Sequence, residues 1–184
     1  GYIAKWVYFL LGLAGAYLFY SGNLLWIETR RKRRQTTQTN TSVFFAKLNS
    51  GVCIGCMAGV SAAFLTTRAL IGFNDRGELT ELSYYLVFFT AIAWCFLRSV
   101  AHGARDVLFA CAALTLAIPF FDAFFVNMPL WRSIFSAQWN LVSVQILSIV
   151  AAYVFFRMGL AVHNRATAGD PNSVWSQAPA ELKT

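Results

Sequence analysis

The hydrophobic pattern divides the chain into long apolar stretches separated by short polar segments. The first stretch, residues 2–27, contains one charged residue, Lys5, and is followed by the basic run RRKRR at residues 30–34. About twenty apolar residues at 1.5 Å each cover a hydrocarbon core of roughly 30 Å, and a helix pairs its own backbone polar groups in lipid. Trp6, Tyr8 and Trp26 lie near its ends, as interfacial anchors do. Residues 2–27 are therefore predicted to form a transmembrane helix.

Four further apolar stretches predict four more transmembrane helices, at residues 44–71, 82–100, 107–126 and 141–162. Polar segments at 35–42 and 71–81 and a turn near Gly103 are predicted to connect the first four. Residues 127–140 carry Trp131, Phe135 and Trp139 at helix-like spacing, which predicts an amphipathic segment along the interface. Residues 164–184 are predicted to be an irregular cytoplasmic tail. The fold class is therefore all-α, a polytopic membrane bundle of five helices over residues 1–163.

The distribution of basic residues predicts the orientation of this bundle. If the loop after the first span lies inside, eleven of the fifteen Lys and Arg residues fall on the inner side. Short loops rich in Lys and Arg stay in the cytoplasm. The N-terminus is therefore expected outside and the C-terminus inside.

Composition supports the membrane class and argues against a nucleic-acid partner. The chain is 58% hydrophobic and 12% charged, whereas about a quarter of residues are charged in an ordinary soluble domain. The net charge of +7 is concentrated beside an apolar span, which indicates membrane anchoring rather than phosphate binding. All four cysteines lie in apolar stretches, so no extracellular disulfide framework is predicted.

The second span carries a stripe of small residues that is typical of close helix packing. Gly51, Gly55, Gly59 and Ala63 recur every four residues and share one helix face. Cys53 and Cys56 flank Gly55 in a formal CxxC, which is interpreted as part of this packing face rather than as a redox couple.

Charged and polar residues inside the spans suggest contacts between helices. Arg68 and Asp122 are expected at similar depth near the outer ends of the second and fourth spans, which predicts an ion pair. The pair has two interpretations: structural stabilisation, or the lining of an outward-facing cavity for a proton or an anionic substrate. Gln145 is expected to hydrogen-bond to another helix. The chain shows no phosphate-binding loop, zinc-ligand spacing or nucleophile triad, so its catalytic residues are unknown and no metal site is predicted.

The first span and its flanks carry a resemblance to a known family. Residues 6–15 (WVYFLLGLAG), residues 21–26 (SGNLLW) and the following basic run resemble a helix region of PepSY-associated transmembrane proteins of bacterial inner membranes. The resemblance covers about thirty residues. It implies an inner-membrane location and a periplasmic PepSY portion upstream of Gly1. Some members are similar to ferric-siderophore reductases that bind b-type haem, which implies electron transport in iron uptake.

Only two histidines occur, His102 and His163, at the inner ends of the third and fifth spans. Haem b in a helical bundle needs axial ligands from facing helices and cations near its propionates. His102 and His163 are therefore candidate axial ligands, and Arg98, Arg105 and Arg157 are candidate propionate contacts. The alternative is that both histidines are ordinary interfacial residues among the basic side chains of that surface.

These expectations lead to three functional hypotheses. The first is an oxidoreductase that transfers electrons through haem b towards a periplasmic ferric chelate. The second is a non-enzymatic membrane subunit that docks on a larger complex through the glycine stripe; it predicts that Gly55→Leu disrupts assembly. The third is a small transporter that uses Arg68 and Asp122. In all three, the partners are the lipid bilayer and other membrane helices or the upstream PepSY portion.

Overall fold

The computed structural model describes residues 40–70 and 74–167, together with Val7, Leu11 and Gly22. Within this range the fold is all-α: five helices connected by short segments, with no strand. Apart from the three single residues, the predicted span 2–27 lies outside the described residues, as does the tail beyond residue 167. The helices are α1 (Asn40–Ala69), α2 (Arg76–Leu97), α3 (Val100–Phe124), α4 (Leu130–Phe135) and α5 (Trp139–Thr167).

Four of these helices are long and apolar enough to cross a membrane, as judged by length and composition. They are α2, α3, α5 and the part Val43–Ala69 of α1. Many large apolar side chains point outward from them, for example Leu86, Phe89 and Leu147. Lipid is the environment in which such a surface is stable, because it removes the cost of exposing apolar area to water. The chain is therefore a multi-pass membrane protein.

Several helices are longer than the hydrophobic pattern predicts. The segment 71–81 was expected to be a turn, but α2 already begins at Arg76, with Glu78 in its first turn, where a carboxylate is favourable. Residues 40–42 belong to α1 rather than to a loop, and α5 continues to Thr167, past the expected start of the tail. Polar residues at the ends of membrane helices remain helical because they extend into the interface, where hydropathy alone does not mark the boundary.

The expected turn near Gly103 is wrong. The chain turns at Arg98 and Ser99, and Gly103 lies in the first turns of α3. A Cβ atom on Gly103 would lie 3.0 Å from Cys95 Cα and 3.6 Å from Arg98 Cβ. Glycine is present because α2 and α3 approach each other closely just beside the turn.

The antiparallel pair α1 and α2 packs through a glycine seam, defined here as Gly51, Gly55 and Gly59. A Cβ atom on these residues would meet Ile92 Cα at 3.0 Å, Ala91 Cβ at 3.0 Å and Tyr84 Cδ2 at 2.9 Å, respectively. Small residues allow helix backbones to approach without a clash. The stripe expected from the sequence is therefore covered by α2 of the same chain.

Helix α3 lies at the centre of the bundle and contacts α1, α2 and α5. Ser61 of α1 and Thr115 of α3 form a buried hydrogen bond of 2.8 Å between their hydroxyl groups. On the other side, Gly159 of α5 packs against the ring of Phe109. Helix α4 is short and packs on α5, with Trp131 and Phe135 exposed, as expected for an interfacial segment.

Candidate functional site

Two groups of polar side chains lie near opposite ends of α3, and each contains one aspartate. The Asp122 cluster consists of Arg68 from α1, Asp122 from α3 and Gln145 from α5. The Asp106 cluster consists of Trp94 from α2, Arg98 from the α2–α3 turn, Arg105 and Asp106 from α3, and His163 from α5.

The Asp122 cluster joins three helices through a fully buried carboxylate. Arg68 Nε lies 3.5 Å from Asp122 Oδ1, and the side chain of Asp122 has no exposed area while that of Arg68 is 25% exposed. This distance permits charge attraction, but it is too long for a good hydrogen bond. The structure thus brings together Arg68 and Asp122, the two residues for which the sequence predicts an ion pair.

Gln145 fixes the other side of this cluster. Its Nε2 donates to the carbonyl oxygen of Met128 at 3.0 Å and to Asp122 Oδ2 at 3.4 Å. Both partners are acceptors, so the orientation of the amide is determined by its surroundings. Gln145 therefore holds α5, the α3–α4 connection and Asp122 in one arrangement.

The Asp106 cluster surrounds its carboxylate with donors. Arg105 donates to Asp106 Oδ1 from Nη2 at 2.7 Å and from Nε at 3.0 Å. Trp94 Nε1 donates to Asp106 Oδ2 at 3.3 Å, and Arg98 Nε lies 3.7 Å from the same oxygen. The Arg98 guanidinium also lies over the Trp94 ring, 5.3 Å from its centre. Two arginines share one carboxylate, so the cluster keeps a net positive charge.

The two histidines lie near this end but make different contacts. Arg105 Nη1 donates to His163 Nδ1 at 3.4 Å, which joins α3 to α5. His102 Nδ1 lies 2.8 Å from Oγ of Ser99, the residue that precedes α3. The structure therefore brings His163 into the Asp106 cluster and places His102 beside it.

A histidine is able to act as an axial haem ligand only when the nitrogen that faces the iron carries no hydrogen. Such a ligand presents an unprotonated nitrogen to iron, while its other nitrogen donates a hydrogen bond. Arginine has no acceptor, so His163 Nδ1 must accept, and the neutral ring then carries its proton on Nε2. While this contact is made, a neutral His163 ring would not ligate iron through Nε2. His102 does fit, because the Ser99 hydroxyl is able to accept from Nδ1–H.

Three grooves lie between the described helices. A groove of about 550 Å³ between α3 and α5 is apolar and is lined by Phe109, Tyr153 and Phe156 among others. A groove of about 350 Å³ between α2 and α3 reaches Trp94 and Asp106. A third, of about 440 Å³, lies between α1 and α2. Neither histidine lines any of these three grooves.

The remaining predicted site residues lie apart from both clusters. Arg157 donates to the Tyr153 hydroxyl at 2.9 Å on its own helix. Cys53 Sγ donates to Asn49 Oδ1 at 3.3 Å, and Cys56 Sγ lies 3.4 Å from the Tyr84 hydroxyl, so the two free thiols have different neighbours. Ala63 lines the groove between α1 and α2.

Sequence reasoning assigned no role to Asp106 and no named partner to Gln145. Asp106 is the one acid among the basic residues between the third and fourth predicted spans, and this feature of the sequence could have indicated that it pairs with them. The contact of Gln145 with Asp122 depends on how α5 is rotated about its axis, which hydropathy leaves open.

No protein-family model, curated protein or solved structure matches this chain.

Proposed function

We propose that the chain is the membrane part of an electron-transfer protein similar to PepSY-type ferric-siderophore reductases of bacterial inner membranes. The resemblance of residues 6–26 supports this proposal, as does the multi-pass class. The structural observation that carries it is the Asp106 cluster. Two arginines and a histidine from different parts of the chain meet there, with His102 one turn away.

In this proposal His102 would hold a b-type haem. Arg98 is the more exposed arginine of the cluster, with 51% of its side chain accessible, so it suits contact with a propionate. Arg105 donates its hydrogen bonds to Asp106 and His163 instead. When bound, the haem would supply one-electron chemistry: a ferrous haem would pass one electron to the ferric ion of a chelate, which yields ferrous iron and a ferric haem.

The test is a dithionite-reduced minus oxidised visible spectrum of the purified full-length protein. A b-type α-band is expected in the native protein and is expected to be lost in His102→Ala. His163→Ala is the matched control, because Arg105 holds that ring in a form that does not ligate through Nε2, so it should retain the band.

Two outcomes would contradict this proposal. A colourless native protein would remove the basis for haem-dependent electron transfer. A band that survives His102→Ala would exclude His102 as a ligand and place the ligands elsewhere in the protein.

A small transporter is the second candidate function, and the Asp122 cluster favours it. A buried charge within a membrane bundle is costly and often marks the path of an ion or a proton. This candidate predicts that Asp122→Asn stops uptake of a proton or an anionic substrate in proteoliposomes, without a change in protein colour. Uptake equal to that of the native protein would exclude it.

Docking on a larger complex through the glycine seam has less support, because α2 covers that face.

A further inference from the structure

The Asp122 cluster contains more hydrogen-bond acceptors than donors. Gln145 Nε2 uses its two hydrogens on the Met128 carbonyl oxygen and Asp122 Oδ2. Asp122 Oδ1 and Gln145 Oε1 are both buried, and neither has a hydrogen-bond partner. A buried acceptor left without a donor costs about 1–3 kcal/mol. Two buried acceptors of this cluster therefore have no donor.

Turning over the Gln145 amide does not supply these donors. Turning the Gln145 amide over would place Oε1 against the Met128 carbonyl oxygen and Asp122 Oδ2, so that acceptors would face each other. Arg68 Nε attracts Asp122 Oδ1 from 3.5 Å without hydrogen-bonding to it. Asp122 Oδ1 and Gln145 Oε1 therefore have no donor in the arrangement that the three side chains adopt.

We propose that Asp122 and Gln145 bind one water molecule, which donates one hydrogen to Asp122 Oδ1 and the other to Gln145 Oε1. Its oxygen accepts from Arg68 Nε–H, so the three helices are joined through the water. One water supplies the two missing donors, and three partners lie within the usual range for a buried water. The site connects α1, α3 and α5 at one end of the membrane bundle.

The charges around the site favour water over a metal cation. Arg68 is the charged side chain in ionic contact with Asp122 among the described residues, and it would repel a cation bound beside it. From α4, Ser133 is buried and bonds to backbone carbonyl oxygens, while Arg132 donates to the Asn127 carbonyl oxygen. Helix α5 contributes the neutral Gln145. The water enters past Arg68, the partly exposed member of the cluster.

The test is an experimental structure of the native full-length protein at a resolution that shows ordered water, compared with two variants. We expect density within hydrogen-bond distance of Asp122 Oδ1 and Gln145 Oε1. We expect this density to be lost in Gln145→Met, which keeps the length of the side chain but removes its acceptor. Ser148→Ala, one turn along the same helix, is the control and should retain it.

The native structure alone is able to overturn the proposal, so the test does not depend on whether a variant folds. Arg68 hydrogen-bonded directly to Asp122 Oδ1, with no density between Asp122 and Gln145, would contradict it. Density that persists unchanged in Gln145→Met would also contradict it, because Oε1 would then be no part of the site. Neither result bears on the visible spectrum that tests electron transfer.

Discussion

The two aspartates of α3 lie near its opposite ends and differ in exposure and in the number of hydrogen bonds that they accept. Asp106 and Asp122 are sixteen residues apart, about 24 Å along the helix axis. Asp106 is 21% exposed and accepts three hydrogen bonds from two neighbours, with Arg98 a little further away. Asp122 has no exposed area and depends on one long ion pair and one amide. Protein donors are therefore plentiful at the partly exposed carboxylate and scarce at the buried one.

The largest expected effect follows from removing the buried carboxylate. Asp122→Ala leaves the Arg68 guanidinium without a counterion near the membrane, so we expect the free energy of unfolding to fall by about 3 kcal/mol. The measurement is denaturant unfolding of the purified protein in mixed micelles, with Asp106→Ala as the matched control. Equal losses in the two variants would contradict the distinction between a buried and a hydrated aspartate.

A smaller effect is expected at the other end of α3. Asp106→Asn removes a charge that is partly hydrated, so we expect a loss of less than about 1 kcal/mol. Salt should reduce this loss, because exposed charges are screened. The same unfolding experiment at low and high salt measures it. A salt-independent loss as large as that of Asp122→Ala would show that Asp106 is not hydrated.

The smallest effect is expected within the Asp106 cluster itself. Arg105 donates two short hydrogen bonds, whereas Arg98 lies 3.7 Å from the carboxylate and is 51% exposed. We therefore expect Arg98→Gln to leave the free energy of unfolding within about 0.5 kcal/mol of the native value, and Arg105→Gln to lower it more. Unfolding curves of the two variants side by side test this order, and the reverse order would contradict it.

The level at which Arg68 and Asp122 meet along neighbouring helices was predictable from the sequence, but rotation about each helix axis was not. The pairing of Arg68 with Asp122 follows from counting positions along neighbouring spans, because up-and-down helices bring their ends to the same level. The partner of Gln145 requires knowledge of which face of α5 meets α3. Gly103 was misinterpreted for a related reason: glycine is typical both of turns and of close helix contacts, and only packing distinguishes them. Hydropathy also placed the start of α2 too late, because Glu78 and Glu81 are helical but polar.

The long separation between Arg68 and Asp122 along the chain has a consequence for biosynthesis. At 5–20 residues per second, the ribosome makes Asp122 roughly 3–10 seconds after Arg68. The glycine seam allows α1 and α2 to pair as a hairpin before α3 exists, since it needs no later residue. Arg68 is therefore without this counterion for several seconds. In the finished bundle the Arg68 side chain is still partly exposed, at the position where it contacts Asp122.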